Sequence, residues 1–135
     1  MKESQAIKAV SKKFIEHWKY LLSLEEWDIS VRNVKLEDGK LGECGCEPAH
    51  KSATINIDVS KHKTIEELLE TVRHEFIHLV HAHFESYRNS VTKILAPNVR
   101  DATDDIYAIG AEDVVLKIEH LLGKLNVDVH GRIKK

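Results

Sequence analysis

The chain has no apolar run approaching the ~18 residues that a membrane-spanning helix requires. Its first stretch, MKESQAIKAVSKKF, spreads charge throughout and has no continuous apolar segment, so no secretory signal peptide is expected. Cysteine is scarce. Cys44 and Cys46 are the only two, one residue apart, poorly placed to bridge each other and too few for a disulfide framework. Neither sign of charge dominates: the net charge is −2, which leaves no footprint for general binding to nucleic acid or to a membrane. There is no internal repeat, low-complexity tract or long linker. These absences predict a cytoplasmic globular protein, and 135 residues fit a single domain, 1–135, with one core.

The residue in excess is histidine, with nine in the chain and five of them between His62 and His83. Around them the elements can be read from periodicity. Ile7, Val10, Phe14, Trp18, Leu21 and Leu22 recur at helical spacing and predict an amphipathic helix over residues 4–22. Ser23 and Glu26 suit a short cap before the next element. Trp27, Ile29 and Val31 alternate with polar residues, which predicts a strand. Asp38-Gly39 is a tight-turn signal, so residues 27–47 read as a hairpin whose second strand is made irregular by Gly42 and Gly45. Ala53, Ile55, Ile57 and Val59 then alternate with Thr54, Asn56 and Asp58, a half-buried strand. Thr64 with Glu67 forms a capping-box signature, opening a helix that is expected to run to about Phe84. A short helix can lie at 86–95 before Pro97. A last long one, about 104–122, is capped by Asp101 or Thr103 and stops at Gly123. The expected class is α+β: an N-terminal helix, a small three-stranded antiparallel or mixed sheet, then two further long helices.

Chemistry concentrates in the first of those two helices. His74-Glu75-Phe76-Ile77-His78 is HExxH. Residues four apart share a helical face, so both imidazoles can reach one metal ion, with Glu75 on the adjacent face beside a water on that ion. Zinc brings the pKa of such a water to roughly 7, and a carboxylate next to it can take the proton as the water attacks a carbonyl. The competing interpretation is a histidine-rich helix that matches by accident. The cap at Thr64 and the strand before it favour the metal.

Catalytic zinc needs a third protein ligand and an open fourth position. His81 shares the stripe of His74 and His78 but lies ~10 Å along the axis from His74, and His83 is roughly half a turn around. Glu112 is the better candidate, because Ala108, Ile109, Val115 and Leu116 surround it at helical spacing and a carboxylate amid apolar surface needs a partner. Asp113 reads as more exposed and Glu119 as a weaker ligand; Tyr107 or His120 can stabilise an oxyanion.

HEFIH, followed thirty-four residues after His78 by Glu112 on a separate helix, resembles the gluzincin branch of the zincin metallopeptidases. The order of elements over about residues 25–122 is similar to the compact single-domain members called minigluzincins. The resemblance implies a zincin-like fold and zinc held by His74, His78 and Glu112. It also implies hydrolysis of peptide bonds with Glu75 as general base and then acid, and a sheet strand that holds the substrate extended above the cleft. One departure is Leu116, where that branch carries an aspartate. Other compact HExxH groups are the SprT-like proteases, which are DNA-associated, and the repressor-cleaving proteases of mobile elements.

Cys44, Cys46 and His50 lack the fourth ligand of a second metal site, so the thiols read as a reduced pair at a strand end. The strand Ala53 to Val59 is usual core on one face. As a sheet edge beside the cleft it can pair with a peptide, with Thr54 and Asn56 toward the substrate. Arg88 and Arg100 read as surface, with substrate contact as the alternative. The expected partner is a peptide or protein substrate, with no membrane and no nucleic acid. The alternatives to an active zinc metallopeptidase are a zinc-stabilised protein-binding module without turnover and a SprT-like protease.

Overall fold

A computed structural model describes residues 1–81, 93, 97, 112–113 and 115–134. The fold is α+β, with a three-stranded mixed sheet and helices packed on one of its faces. Among the described residues no helix is long and apolar enough to cross a membrane.

The expected single N-terminal helix is two: α1 (Glu3–Ala9) and α2 (Lys12–Leu21). Val10 leaves helical geometry and Ser11 is extended, its hydroxyl accepting the Phe14 N–H at 3.2 Å to start a fresh helix. The break lets Ala6, Phe14 and Trp18 all enter the core. Ser23 does not cap the next element but closes α2. It takes the left-handed conformation (φ 56°), Leu24 N–H bonds the Lys19 carbonyl at 2.7 Å and Ser23 N–H bonds that of Tyr20 at 3.2 Å, the Schellman pattern.

The strands are β1 (Asp28–Asn33), β2 (Gly42–Glu47) and β3 (Ser52–Ile57), ordered β1-β3-β2. β1 runs parallel to β3 and β2 antiparallel to it. The expected hairpin of β1 with β2 is therefore not formed. β3 buries Ala53, Ile55 and Ile57 on one face and is the most apolar of the three, so it takes the centre and each neighbour pairs with one of its edges. The Asp38-Gly39 turn is present, with Gly39 at φ 86°, but it sits in an arch over the end of β3. Two groups pin that arch. The Asp58 carboxylate accepts the Leu36 N–H at 3.0 Å, and the Lys61 ammonium donates to the carbonyls of Leu36, Glu37 and Lys40 at 2.9, 2.6 and 3.0 Å.

α3 (Ile65–Val80) lays Leu68, Leu69, Val72, Phe76 and Leu79 on the sheet face formed by Ile29, Ala53, Ile55 and Ile57, with Trp18, Leu24 and Trp27 completing the core. Ile65 and Val80 are exposed at the helix ends. The helix stops at Val80, short of Phe84.

The last helix, α4, is helical at 112–113 and 115–124; the rest of the expected 104–122 span and its caps lie outside the described residues, as do His83, Arg88, Arg100 and, apart from Lys93, the expected helix at 86–95. It passes Gly123 by one residue. The tail then folds on itself, with Val127 bridged to Ile133 and the Asp128 carboxylate accepting the N–H groups of His130 and Arg132, each at 2.9 Å. It docks on α2: the buried Trp18 indole N–H donates to the Val129 carbonyl at 2.9 Å.

Candidate metal centre

The helix that carries HExxH starts where Thr64 and Glu67 predict. The Thr64 hydroxyl accepts the Glu67 N–H at 3.2 Å, and the Glu67 carboxylate accepts the Lys63 N–H at 2.8 Å. One face of α3 packs on the sheet, which turns His74 and His78 into a cleft of about 730 Å³ between α3, β2 and α4. The two imidazoles meet edge to face, their Nε2 atoms 3.3 Å apart.

Glu112 comes to this pair from α4. One carboxylate oxygen lies 3.2 Å from His74 Nε2 and the other 3.3 Å from His78 Nε2. Among the described residues His74, His78 and Glu112 are the one group of three or more His, Cys, Asp or Glu able to hold a metal ion, their ligand atoms all within 4.8 Å of one another. The expectation that Glu112 faces the core is corrected: its side chain is 50% exposed and reaches the histidines along the cleft surface. Asp113 is exposed and pairs with Lys117 at 2.9 Å, one turn on.

Glu119 has a different place from the ligand position considered for it. Its carboxylate meets the other nitrogen of His74, Nδ1, at 3.2 Å, and faces the Arg73 guanidinium at 3.9 Å. The bond to Glu119 raises the pKa of His74 against its burial, whereas burial and the neighbouring His74 lower that of His78. The ring held by Glu119 thus keeps a proton more readily than its neighbour. At Glu119 burial works upward, but the bond to His74 and the charges of His74, Arg73 and His78 outweigh it and leave the pKa lowered.

Glu75 is buried beside the histidines, and that burial is the main reason its pKa rises to about 7; the charge of His74 opposes the rise and Glu112, Glu43 and Glu119 add to it. Its wall is formed by Thr71 and Gly42. Thr71 is held by His62, whose Nδ1 donates to the Asp58 carbonyl at 2.8 Å and whose Nε2 lies 2.8 Å from the Thr71 hydroxyl. The Thr71 hydroxyl also donates to the Glu67 carbonyl at 3.1 Å, and both ring nitrogens of His62 have a partner. Periodicity marked none of His62, Thr71 or Gly42 as part of the site, and a glycine opposite a helix is the only trace of it in the sequence.

The strand beside the cleft is β2. Gly42, Cys44 and Cys46 line it, and the two cysteines form no disulfide. β3 is paired on both sides, so the expectation that it is an accessible edge is corrected, and with it the peptide-pairing role of Thr54 and Asn56. Neither residue lines the metal cleft: Thr54 Oγ1 lies 3.4 Å from Ser30 Oγ, and the Asn56 amide donates to Glu43 at 3.1 Å. His120 is exposed and also lies outside the cleft lining, so it is not placed to stabilise an oxyanion there, and Tyr107 falls outside the described residues. His81 caps the end of α3, and His50 is exposed in a turn rather than gathered with the cysteines. Comparison with protein-family models, with curated proteins and with solved structures finds no match for this chain.

Proposed function

We propose that this protein is a zinc-dependent metallopeptidase of compact gluzincin type, with His74, His78 and Glu112 as zinc ligands and Glu75 as general base. The observation that carries this reading is the convergence of three lone-pair donors at separations of 3.2, 3.3 and 3.3 Å. A tetrahedral ion with bonds of roughly 2.0–2.1 Å has ligand-to-ligand edges of about 3.3 Å. With its proton on Nδ1 toward Glu119, His74 presents a lone pair at Nε2. Lone pairs facing one another at that distance call for a cation between them.

Bound zinc supplies Lewis acidity, polarising a carbonyl oxygen and acidifying water. The chain's own groups do the rest. Glu75, buried beside the ligands, accepts the proton of the attacking water and passes it to the departing peptide nitrogen. β2 pairs with β3 on one side only among the described residues, so its other edge can hold an extended peptide through backbone hydrogen bonds.

The test is elemental analysis of protein purified without chelator, followed by turnover on a peptide library. About one zinc per chain is expected. Glu112→Ala should weaken zinc binding far more than Asp113→Ala, and Glu75→Gln should keep the zinc and lose hydrolysis. No zinc, and none taken up on addition, would overturn the reading. Zinc without turnover in parent and variant alike would identify a zinc-stabilised binding module instead.

A further inference from the structure

The two carboxylates of α4 grip one imidazole from opposite sides. Glu112 meets His74 at Nε2 and Glu119 meets it at Nδ1, both at 3.2 Å. We propose that Glu119 is the positioning residue of this site, locking His74 in the Nδ1–H tautomer and in the ring orientation that presents Nε2 to the metal, with Arg73 as its counter-charge. The proposal rests on the metal-site reading above.

The helix makes this arrangement possible. Glu119 follows Glu112 by seven residues, close to two full turns, so both side chains leave the same face about 10 Å apart. An imidazole inserted between them is met at both nitrogens. The residue one turn after Glu112 cannot do this work: Leu116 has no acceptor and is exposed. Glu119 is well placed for it. Its side chain is 21% exposed, and it is oriented by a His74 that is itself 23% exposed, so neither group is free to be rearranged by bulk water. A neutral imidazole has one donor and one acceptor nitrogen, and an acceptor carboxylate at Nδ1 selects the tautomer whose Nε2 lone pair is available. Arg73 closes the chain. Its side chain is 16% exposed and its Nη2 faces the Glu119 oxygen not used by His74, which keeps the carboxylate charged and in place. His78 has no such partner at its second nitrogen among the hydrogen bonds and ion pairs of the described residues, so the support falls on one ligand of the pair.

A partner of this kind contributes roughly 10- to 100-fold in metal affinity. The experiment is zinc affinity by chelator competition, together with nitrogen-15 NMR of the His74 ring, in the parent, Glu119→Ala, Glu119→Leu, Glu119→Gln and the same-helix control Leu116→Ala. Glu119→Ala and Glu119→Leu are expected to bind zinc 10- to 100-fold more weakly, with a His74 ring that no longer holds its proton at Nδ1 in the metal-free protein. Glu119→Gln, which retains an acceptor oxygen, should recover part of the loss, and Leu116→Ala should match the parent. The leucine variant carries the test if the alanine variant does not fold. Parental affinity and an unchanged ring in the variant that folds would overturn the positioning role while leaving the metal site standing. A parent that takes up no zinc would instead remove the metal reading itself. A fall in unfolding temperature with unchanged affinity and tautomer would show that Glu119 is merely structural, which also overturns the proposal.

Discussion

Gly42 and Glu75 leave no room between them for a side chain. A β-carbon on Gly42 would lie 3.3 Å from both Cγ and Oε1 of Glu75 and 2.8 Å from the Thr71 methyl. Thr71 cannot simply turn aside, because His62 holds its hydroxyl. Gly42→Val is therefore expected to displace the Glu75 carboxylate and to cost about 1–3 kcal/mol of stability, the usual scale of overpacking. Turnover should fall by more than tenfold while zinc affinity stays within a few-fold of the parent. Kinetics beside a zinc titration check this, and parental turnover in a folded Gly42→Val protein would contradict it.

Glu75 itself gives a pH signature in metal-free protein. Its folded pKa of about 7 lies above the 4.5 of an unburied glutamate. Below pH 4.5 the group is protonated in both states and costs nothing. Between there and about 7 the native chain holds a proton that the unfolded chain has released, so stability falls as pH rises, and above 7 the full penalty of burying the charge applies. The penalty is at most about 3 kcal/mol. Glu75→Gln should thus unfold at a higher temperature than the parent at pH 8 and at nearly the same temperature at pH 4. Thermal unfolding across that range decides it; parallel curves would show that the carboxyl is not buried as described.

What could be read beforehand was whatever a single element's own period determines. The Thr64–Glu67 cap, the inward alternation of Ala53, Ile55 and Ile57, and the shared face of His74 and His78 each depend on residues a few positions apart. Strand order does not. Nothing local in β1 or β2 says that both will pair with β3 rather than with each other, and the Asp38-Gly39 turn is equally at home in a hairpin and in an arch. Spacing singles out Glu112 but not its exposure, because helical neighbours describe one helix and not the cleft beside it. The role of Glu119 depended on which nitrogen of His74 it would meet, a matter of how two helices cross.

The tail offers a third test. Gly131 has φ 72°, and a β-carbon there would come 2.3 Å from Leu21 Cδ1 and 3.1 Å from the His17 ring. Gly131→Ala puts a β-carbon on left-handed backbone while the exposed Leu21 side chain can turn away, and a loss of about 1–2 kcal/mol is expected. Since the tail ties the end of α4 to α2, zinc affinity should weaken in the same variant. Calorimetry with and without zinc measures both effects, and an unchanged melting temperature would show that the tail does not hold α4.

Asp58 provides an acid-range marker in the arch over the end of β3. The Ser60 hydroxyl, the Leu36 N–H, the Ser60 N–H and the Lys61 charge hold its pKa below the ordinary carboxylate value, with burial working the other way. Its contribution to stability is complete above the unfolded pKa of about 3.9 and is lost as pH falls through the lower folded value. Asp58→Asn should be less stable than the parent at pH 7, with the gap closing toward pH 2. Chemical denaturation at the two pH values tests this, and a gap that stays constant would exclude the carboxylate's charge as the cause.

The central position of β3 has a kinetic consequence. During synthesis β1 and β2 both emerge before the one strand that either can pair with, and each waits with its backbone groups satisfied only by water. The arrival of residues 52–57 completes two ladders together, one parallel and one antiparallel. The β2–β3 pairs lie only 5 to 15 residues apart in sequence and every β1–β3 pair lies 24 apart, so closing the parallel ladder is the slower half of sheet assembly. Substitutions in β3 should slow refolding, whereas those at contacts made only after the sheet has closed should mainly hasten unfolding.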